Sequence, residues 1–314
     1  MKKKTLFLIP VAVIILAIGI MYLPPVRNAI KNKTLAKVDA EKAKLVPNED
    51  NIVQEMEDPY FIKKQWGYSY PNPENITYAS KVTGTLRHAT VLLPAGYSED
   101  KEYPVLYLIH GIGGSNRTWV NKKADIIMQN LYYFEGVPEM IVVCTNNNVN
   151  VFESTTGLSF REAVPFYDLI GEDLISSLMP YIVDKYSVKT GKENTAIAGN
   201  SMGGRESLYI AFNHQDKFDY IGLFSSAGVL KTGKVGGGIT PLLDELVIDE
   251  RYGGFEYIFL NVGREDNVCG RVTYEIHDYM IEHGIEHVFY DTDGEHENKV
   301  WQNALYNFCK NIFK

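Results

Sequence analysis

Short apolar segments alternate with amphipathic segments from residue 83 to the end of this 314-residue chain. The alternation predicts an α/β domain in which helices cover both faces of a mostly parallel central sheet. The apolar segments with the length of buried strands are Thr83–Leu93, Tyr103–Ile109, Glu139–Cys144, Thr195–Ala198, Tyr220–Ser225, Glu256–Val262 and His287–Tyr290. The segments with helical character are Trp119–Phe134, Phe166–Tyr186, Arg205–Asn213, Thr273–His283 and Val300–Phe313.

Ser201 lies at the junction of a predicted strand and a predicted helix, flanked two residues away by Gly199 and Gly203. A serine on such a tight turn has a strained backbone, and its flanking residues must be small because strand and helix pass closely. A turn of this kind presents the serine hydroxyl as a nucleophile. The competing interpretation is a glycine-rich turn that only connects two elements.

A serine nucleophile needs a neighbouring base, and histidine is the usual choice. Of the seven histidines, only His110 and His296 lie in loops just after predicted strands. His296 follows the last strand, where the chain order serine, acid, histidine expects the base. We therefore predict His296 as the base and a structural, loop-shaping role for His110.

The base in turn needs a carboxylate to orient it. Asp266 follows the strand Glu256–Val262 and precedes His296, so we predict it as the acid, a role compatible with capping the next helix. Asp291 and Asp293 are the alternatives. They lie so close in sequence to His296 that they are better suited to shaping its loop.

Acyl transfer also requires hydrogen-bond donors aimed at the oxyanion that develops in the transition state. The glycine-rich loop after Ile109 offers backbone N–H groups for this purpose. We predict that the N–H groups of Ile112 and Met202 form this oxyanion hole.

Several ordered blocks resemble the esterase D superfamily, and most closely the feruloyl and acetylxylan esterases of carbohydrate esterase family 1, including the feruloyl esterase modules of bacterial xylanases. The resemblance runs from about residue 55 to the end of the chain. The blocks are Leu108–Ser115, Asp173–Ile182, Ala196–Gly204, Gly263–Asp266 and Gly294–His296 with Trp301.

The resemblance implies an α/β-hydrolase fold without cofactor or metal. It also implies hydrolysis of a polysaccharide-linked or small ester through an acyl-enzyme on Ser201, with the same acid, base and oxyanion residues. The chain departs from the family pattern at Asn200, Glu295 and Glu297.

The acyl group is set by loops, chiefly Asn146–Val164 and Gly228–Gly254, so feruloyl and acetyl esters of xylan both stay open. An aromatic wall for a feruloyl ring is available from Phe152, Phe160, Phe166 and Tyr167. Two other functions stay open as well: a cell-envelope acyltransferase of the same fold, and a non-catalytic binding module.

The N-terminus begins with Lys2, Lys3 and Lys4, followed by an uncharged segment long enough to span a bilayer. We predict a signal anchor or signal peptide over residues 1–26, a polar tether over 27–50 and the esterase domain over 51–314. Because the positive flank stays inside, the domain is expected outside the cytoplasm, anchored to the membrane if the segment is not cleaved.

The net charge of −8 argues against a nucleic-acid partner. Cys144, Cys269 and Cys309 are widely spaced and lack metal-ligand spacing, which favours buried free thiols over disulfides. The oligomeric state stays open.

Overall fold

The central element is a sheet, seen in a computed structural model that describes Met56, residues 60–228 and residues 246–314. Its strands are β1 (Glu74–Ala79), β2 (Leu86–Leu92), β3 (Val105–Ile109), β4 (Ile141–Cys144), β5 (Thr195–Asn200), β6 (Tyr220–Phe224), β7 (Tyr257–Gly263) and β8 (Val288–Thr292). Their order across the sheet is β1-β2-β4-β3-β5-β6-β7-β8. Pairing is antiparallel between β1 and β2 and between β2 and β4, and parallel in the rest of the sheet.

The helices are α1 (Thr118–Asn121), α2 (Ala124–Phe134), α3 (Phe160–Asp168), α4 (Ile170–Asp173), α5 (Met179–Lys185), α6 (Met202–Asn213), α7 (Gly270–Glu282) and α8 (Asn298–Cys309). A π-helical segment, Leu174–Leu178, joins α4 to α5, and short 3-10 turns occupy Lys192–Asn194 and Glu250–Tyr252. This arrangement is an α/β-hydrolase-like fold with a mostly parallel sheet, as predicted.

The central parallel strands are buried along their whole length, which explains their continuous apolar runs. One face of the sheet, with Leu106 and Ala196 among its residues, forms a core with apolar side chains of α2 and α8. Alternate strand residues point to the other face, where α6 packs on β5 and β6 and α7 packs on β7.

Two predicted helices differ from the structure. The segment Trp119–Phe134 is two helices, because Lys123 between them has a positive φ of 69°, which interrupts the helical path. The helix predicted from Phe166 begins earlier, at Phe160, where Ser159 and Glu162 form a reciprocal capping box. The hairpin partner β1 has no counterpart among the predicted strands.

The predicted N-terminal segments, 1–26 and 27–50, lie outside the described residues. Within the residues that are described, none of the helices has both the length and the hydropathy that a membrane crossing requires. The described residues belong to one compact unit, Glu49–Lys314.

Candidate active site

Ser201 occupies a strained turn between β5 and α6, with φ 56° and ψ −119°. A Cβ atom on Gly199 would lie 2.5 Å from the backbone of Gly203, and one on Gly203 would lie 2.3 Å from the carbonyl oxygen of Ile109. Both positions therefore require glycine, as the sequence predicts. The turn is fixed to β6 by the Ser201 N–H, which donates to the carbonyl of Phe224 at 2.9 Å.

His296 and Asp266 are hydrogen-bonded to each other across 30 residues of chain. The Nδ1 atom of His296 lies 2.8 Å from Oδ2 of Asp266. The other oxygen, Oδ1, accepts the backbone N–H groups of Val268 at 2.9 Å and Cys269 at 2.8 Å. With Nδ1–H donating to the carboxylate, Nε2 of His296 is the ring nitrogen available to accept a proton.

The same contacts set the ionisation of Asp266. Burial raises the pKa of this carboxyl, but the hydrogen bonds from His296, Cys269 and Val268 outweigh burial, so the pKa lies below its usual value. Asp266 is therefore a carboxylate at neutral pH, which lets it accept the Nδ1–H of His296.

The loops that carry the acid and the histidine are joined by backbone contacts. The N–H of Arg264 donates to the carbonyl of Thr292 at 2.8 Å, and the N–H of Glu265 donates to the carbonyl of Gly294 at 3.0 Å. In return, the N–H of Gly294 donates to the Glu265 carboxylate at 2.8 Å. The Asp266–His296 geometry is thus held by the backbone as well as by the side chains.

The alternative acids lie elsewhere. Asp291 accepts a hydrogen bond from Nε of Arg264 at 2.9 Å and another from the hydroxyl of Tyr274 at 3.2 Å. Asp293 forms an ion pair with Arg264 and is largely exposed. Both carboxylates are therefore engaged with Arg264, whereas Asp266 contacts the imidazole.

Ser201 and His296 line one cavity of about 330 Å³ at the carboxyl ends of the strands. The other residues around it are Gly111, Ile112, Gly113, Gly114, Thr118, Lys122, Asn200 and Trp301. The structure thus brings together the predicted nucleophile, base and one oxyanion residue, and the acid reaches the cavity through His296. Met202, the second oxyanion residue, is the first residue of α6 and directly follows the serine.

The glycine-rich loop offers a specific donor to this cavity. Among the described residues, neither the N–H of Ile112 nor that of Met202 has a hydrogen-bond acceptor. By contrast, the N–H of Gly113 donates to the hydroxyl of Tyr167 at 2.9 Å, and the N–H of Gly114 donates to the carbonyl of Gly111 at 3.2 Å. The two N–H groups predicted for the oxyanion hole are therefore available to a ligand.

His110 is buried beneath this loop. Its Nδ1 lies 2.6 Å from the carbonyl oxygen of Gly111, and its Nε2 accepts the N–H of Asn147 at 3.2 Å. Burial lowers the pKa of His110 to about 4, so the ring is neutral at neutral pH. These contacts fit the predicted loop-shaping role.

The predicted aromatic wall is not in the cavity of Ser201. Phe152 and Phe166 line a second cavity of about 620 Å³. The residues around this cavity, which also include Val82 and Leu169, are mostly apolar, and neither Ser201 nor His296 is among them. The ring of Tyr167 is fully buried, and its hydroxyl contacts the glycine-rich loop instead. The sequence could not predict which of these aromatics line the second cavity and which are buried elsewhere, because all of them lie in or beside one loop.

Two cavity residues had no predicted role from their local sequence pattern. Trp301 packs edge-on against His296, with ring centroids 4.9 Å apart at 84°. Lys122 lies over Trp301, with Nζ 4.3 Å from the ring centroid. Trp301 follows His296 by five residues and lies in the first turn of α8, which brings its ring back beside the histidine. Lys122 comes from a different part of the chain.

The three cysteines are free and buried, as predicted. Cys269 lies beside the acid, and its backbone N–H donates to Oδ1 of Asp266. Burial raises the pKa of this thiol to about 12, so it remains protonated at neutral pH. In the described part of the chain, no cluster of three or more His, Cys, Asp or Glu side chains could hold a metal ion.

The chain is similar to known esterases in sequence. The model of the esterase family matches residues 80–234. An endo-1,4-beta-xylanase/feruloyl esterase of Xylanibacter ruminicola is 30% identical over 273 residues, which cover 85% of this chain and 35% of that protein. The chain therefore spans about a third of the length of this curated relative.

Two solved structures are similar to this chain over nearly their whole length. A CE1 ferulic acid esterase from the anaerobic fungus Anaeromyces mucronatus superimposes with a TM-score of 0.75 and 31% identity, over 83% of this chain and 98% of that one. An S-formylglutathione hydrolase from Staphylococcus aureus shares only the fold, with a TM-score of 0.57 and 19% identity over 75% of this chain and 93% of that one. The chain therefore belongs to the esterase family that includes the CE1 ferulic acid esterases, a family of serine carboxylic ester hydrolases with the α/β-hydrolase fold.

Proposed function

We propose that this protein hydrolyses feruloyl or related esters of plant cell-wall polysaccharide through a Ser201–His296–Asp266 triad. The observation that carries the proposal is the 2.8 Å contact between Nδ1 of His296 and Asp266, in a histidine that shares its cavity with the strained Ser201. A histidine oriented by a carboxylate and placed beside a serine hydroxyl is the arrangement that activates serine for acyl transfer.

The reaction proceeds in two halves. The Ser201 Oγ attacks the ester carbonyl while Nε2 of His296 takes its proton, and the N–H groups of Ile112 and Met202 stabilise the resulting oxyanion. His296 then protonates the departing alcohol, which leaves the acyl group on Ser201. Water, activated by the same imidazole, releases the acid. Asp266 remains ionised throughout and stabilises the imidazolium.

The substrate class comes from the relatives. The Anaeromyces mucronatus enzyme is a ferulic acid esterase with a structure in complex with ferulic acid, and the Xylanibacter ruminicola relative joins a xylanase to a feruloyl esterase. A feruloyl ester is therefore favoured over an acetyl ester. A polysaccharide substrate also agrees with the extracytoplasmic location expected from the N-terminal sequence.

The test is hydrolysis of methyl ferulate and of acetylated xylan by the wild-type protein, with Ser201→Ala and the control Ser98→Ala. We expect faster release of ferulate, a fall in kcat of at least about 1,000-fold in Ser201→Ala, and no comparable fall in the control. Unaltered turnover in Ser201→Ala would exclude this nucleophile. An alcohol acceptor added to the assay separates hydrolysis from acyl transfer, since a transferase would form the acceptor's ester.

A further inference from the structure

Lys122 contributes a cation to the wall of the catalytic cavity. Its side chain lines the same cavity as Ser201 and His296. The Nζ atom lies 4.3 Å from the centroid of the Trp301 ring, and that ring packs against His296. The ammonium group and the proposed base thus contact the same indole ring.

The position of Lys122 is fixed from several sides. Its N–H donates to the carbonyl of Thr118 at 3.0 Å, and its own carbonyl accepts from Nε2 of Gln302 at 2.9 Å. At the other end of the side chain, Nζ donates to Oδ1 of Asn298 at 3.0 Å. Asn298 and Gln302 both belong to α8, the helix that follows His296, so the lysine is tied to the element beside the base.

The ammonium group has no counter-ion in the described part of the chain. No carboxylate there lies within ion-pair distance of Lys122, whereas Lys101, Lys192 and Lys310 each have one. Its partners are a neutral amide oxygen and an aromatic face, which leave donor capacity unused. Burial lowers the pKa of Lys122 to about 8, so the group is still mostly protonated at pH 7.

The side of the cavity identifies which part of the substrate the cation meets. His296 must reach the oxygen of the departing alcohol to protonate it, so the alcohol lies on the His296 side of Ser201. Lys122 packs on the His296 side through Trp301, so it faces the alcohol portion of the ester.

We infer that Lys122 forms a subsite for a carboxylate on the alcohol portion of the substrate, so that the preferred substrates are esters of acidic sugars or other acidic alcohols. This inference rests on the proposed function of the same site. A carboxylate supplies the counter-ion that the protein lacks, through a charge-assisted hydrogen bond in a partly buried setting.

The test uses two matched ester pairs. In the first, ferulate is esterified to glycolic acid, which bears a carboxylate, or to glycolamide, its neutral counterpart. In the second, the carboxylate lies on the acyl side: 4-nitrophenyl hemiglutarate is compared with its neutral amide. The measured quantity is the ratio of kcat/KM for the charged and neutral members of each pair, which cancels any general loss of activity in a variant.

For the wild-type protein we expect the glycolic acid ester to be favoured by about tenfold, mainly through KM, with a preference that weakens at high salt. Lys122→Met should abolish the preference, and Lys122→Arg should retain most of it. A ratio near one in the wild-type protein, or an unchanged ratio in Lys122→Met, would overturn the inference. A Lys122-dependent preference in the acyl-side pair alone would refute the assignment to the alcohol.

Failure of the inference and failure of the proposed function are distinguishable in the same assay. If neither ferulate ester is hydrolysed, the proposed function falls and the subsite falls with it. If both are hydrolysed at equal rates, only the subsite is excluded.

Discussion

The carbonyl oxygen of Ile109 occupies the space that a side chain on Gly203 would need, only 2.3 Å from the position of its Cβ atom. Ile109 ends β3, and Gly203 is in the first turn of α6. The same carbonyl accepts the indole N–H of Trp119 at 3.0 Å, so it is held in place from another side. The end of β3 and the start of α6 are therefore locked together beneath Ser201.

Gly203→Ala should abolish esterase activity and destabilise the protein by about 1–3 kcal/mol or more, because the methyl group would push α6 away from β3. The measurements are kcat/KM on methyl ferulate and thermal unfolding. Gly96→Ala is the control, since a Cβ there would meet its nearest neighbour, Glu139, at an ordinary 3.5 Å. Full activity in Gly203→Ala would show that the turn tolerates a wider separation than this geometry allows.

Asp266→Asn should reduce kcat by about 100- to 10,000-fold with little change in KM. The amide cannot stabilise the imidazolium, and it allows His296 to adopt the wrong tautomer. Asp293→Asn is the matched control because Asp293 lies in the histidine loop but is paired with Arg264. Equal losses in the two variants would contradict the assignment of the acid. The kinetics of both variants on one feruloyl ester provide the comparison.

The order of strands and helices was predictable from sequence because buried parallel strands are continuous apolar runs, and their loops identify the ends where reactive groups gather. Ser201, Asp266 and His296 each lie just beyond the carboxyl end of such a strand, so their proximity follows from topology. Lys122 does not: its place in the cavity depends on the break at Lys123 and on packing against α8, which no local pattern encodes. The placement of Phe152 and Phe166 in a second cavity, away from Ser201, likewise depends on the path of a loop.

A buried charge cluster between the start of α6 and the end of α3 gives the stability of the protein a pH dependence. Nη1 of Arg205 lies 2.7 Å from Oδ1 of Asp168 and also forms an ion pair with Glu206. One guanidinium thus faces two buried carboxyls. Burial raises the pKa of Glu206, Arg205 opposes that rise and the charge of Asp168 adds to it, and the net result is a pKa of about 8.

Because the folded-state pKa of Glu206 exceeds its unfolded value, the folded protein binds the extra proton between about pH 4.5 and pH 8. The contribution of this group to stability is therefore greatest below pH 4.5 and is lost as the pH rises to 8. In the wild-type protein the free energy of unfolding should therefore decline by on the order of 1–3 kcal/mol from pH 4.5 to pH 8 through this group, and Glu206→Gln should remove that decline.

Urea unfolding at a series of pH values gives the slope of the free energy of unfolding against pH. This slope does not change if the substitution shifts the stability by the same amount at every pH. The exposed Glu99→Gln serves as the control and should leave the slope unchanged. An identical slope in Glu206→Gln and the wild-type protein would show that Glu206 is ionised in the folded state at neutral pH.

Tyr167 connects both parts of the proposed oxyanion hole. Its hydroxyl accepts the N–H of Gly113 at 2.9 Å and lies 2.7 Å from Oγ1 of Thr155, and its ring packs in a small core with Met202. Gly113 directly follows Ile112, so the hydroxyl orients the peptide next to the proposed donor. We therefore expect Tyr167 to be a positioning residue, which acts through the loop without contacting the reacting atoms.

Tyr167→Phe keeps the ring packing and removes the hydroxyl, which leaves the Gly113 N–H without its acceptor and frees the loop to turn. We expect kcat to fall about tenfold with KM nearly unchanged, since the oxyanion is bound only in the transition state. Tyr133→Phe is the matched control, because its hydroxyl donates to a backbone carbonyl, that of Ser69, at 2.7 Å in an exposed region. Loss of thermal stability with an unchanged kcat would mean that the hydroxyl supports folding alone, whereas a selective fall in kcat requires the loop to orient Ile112.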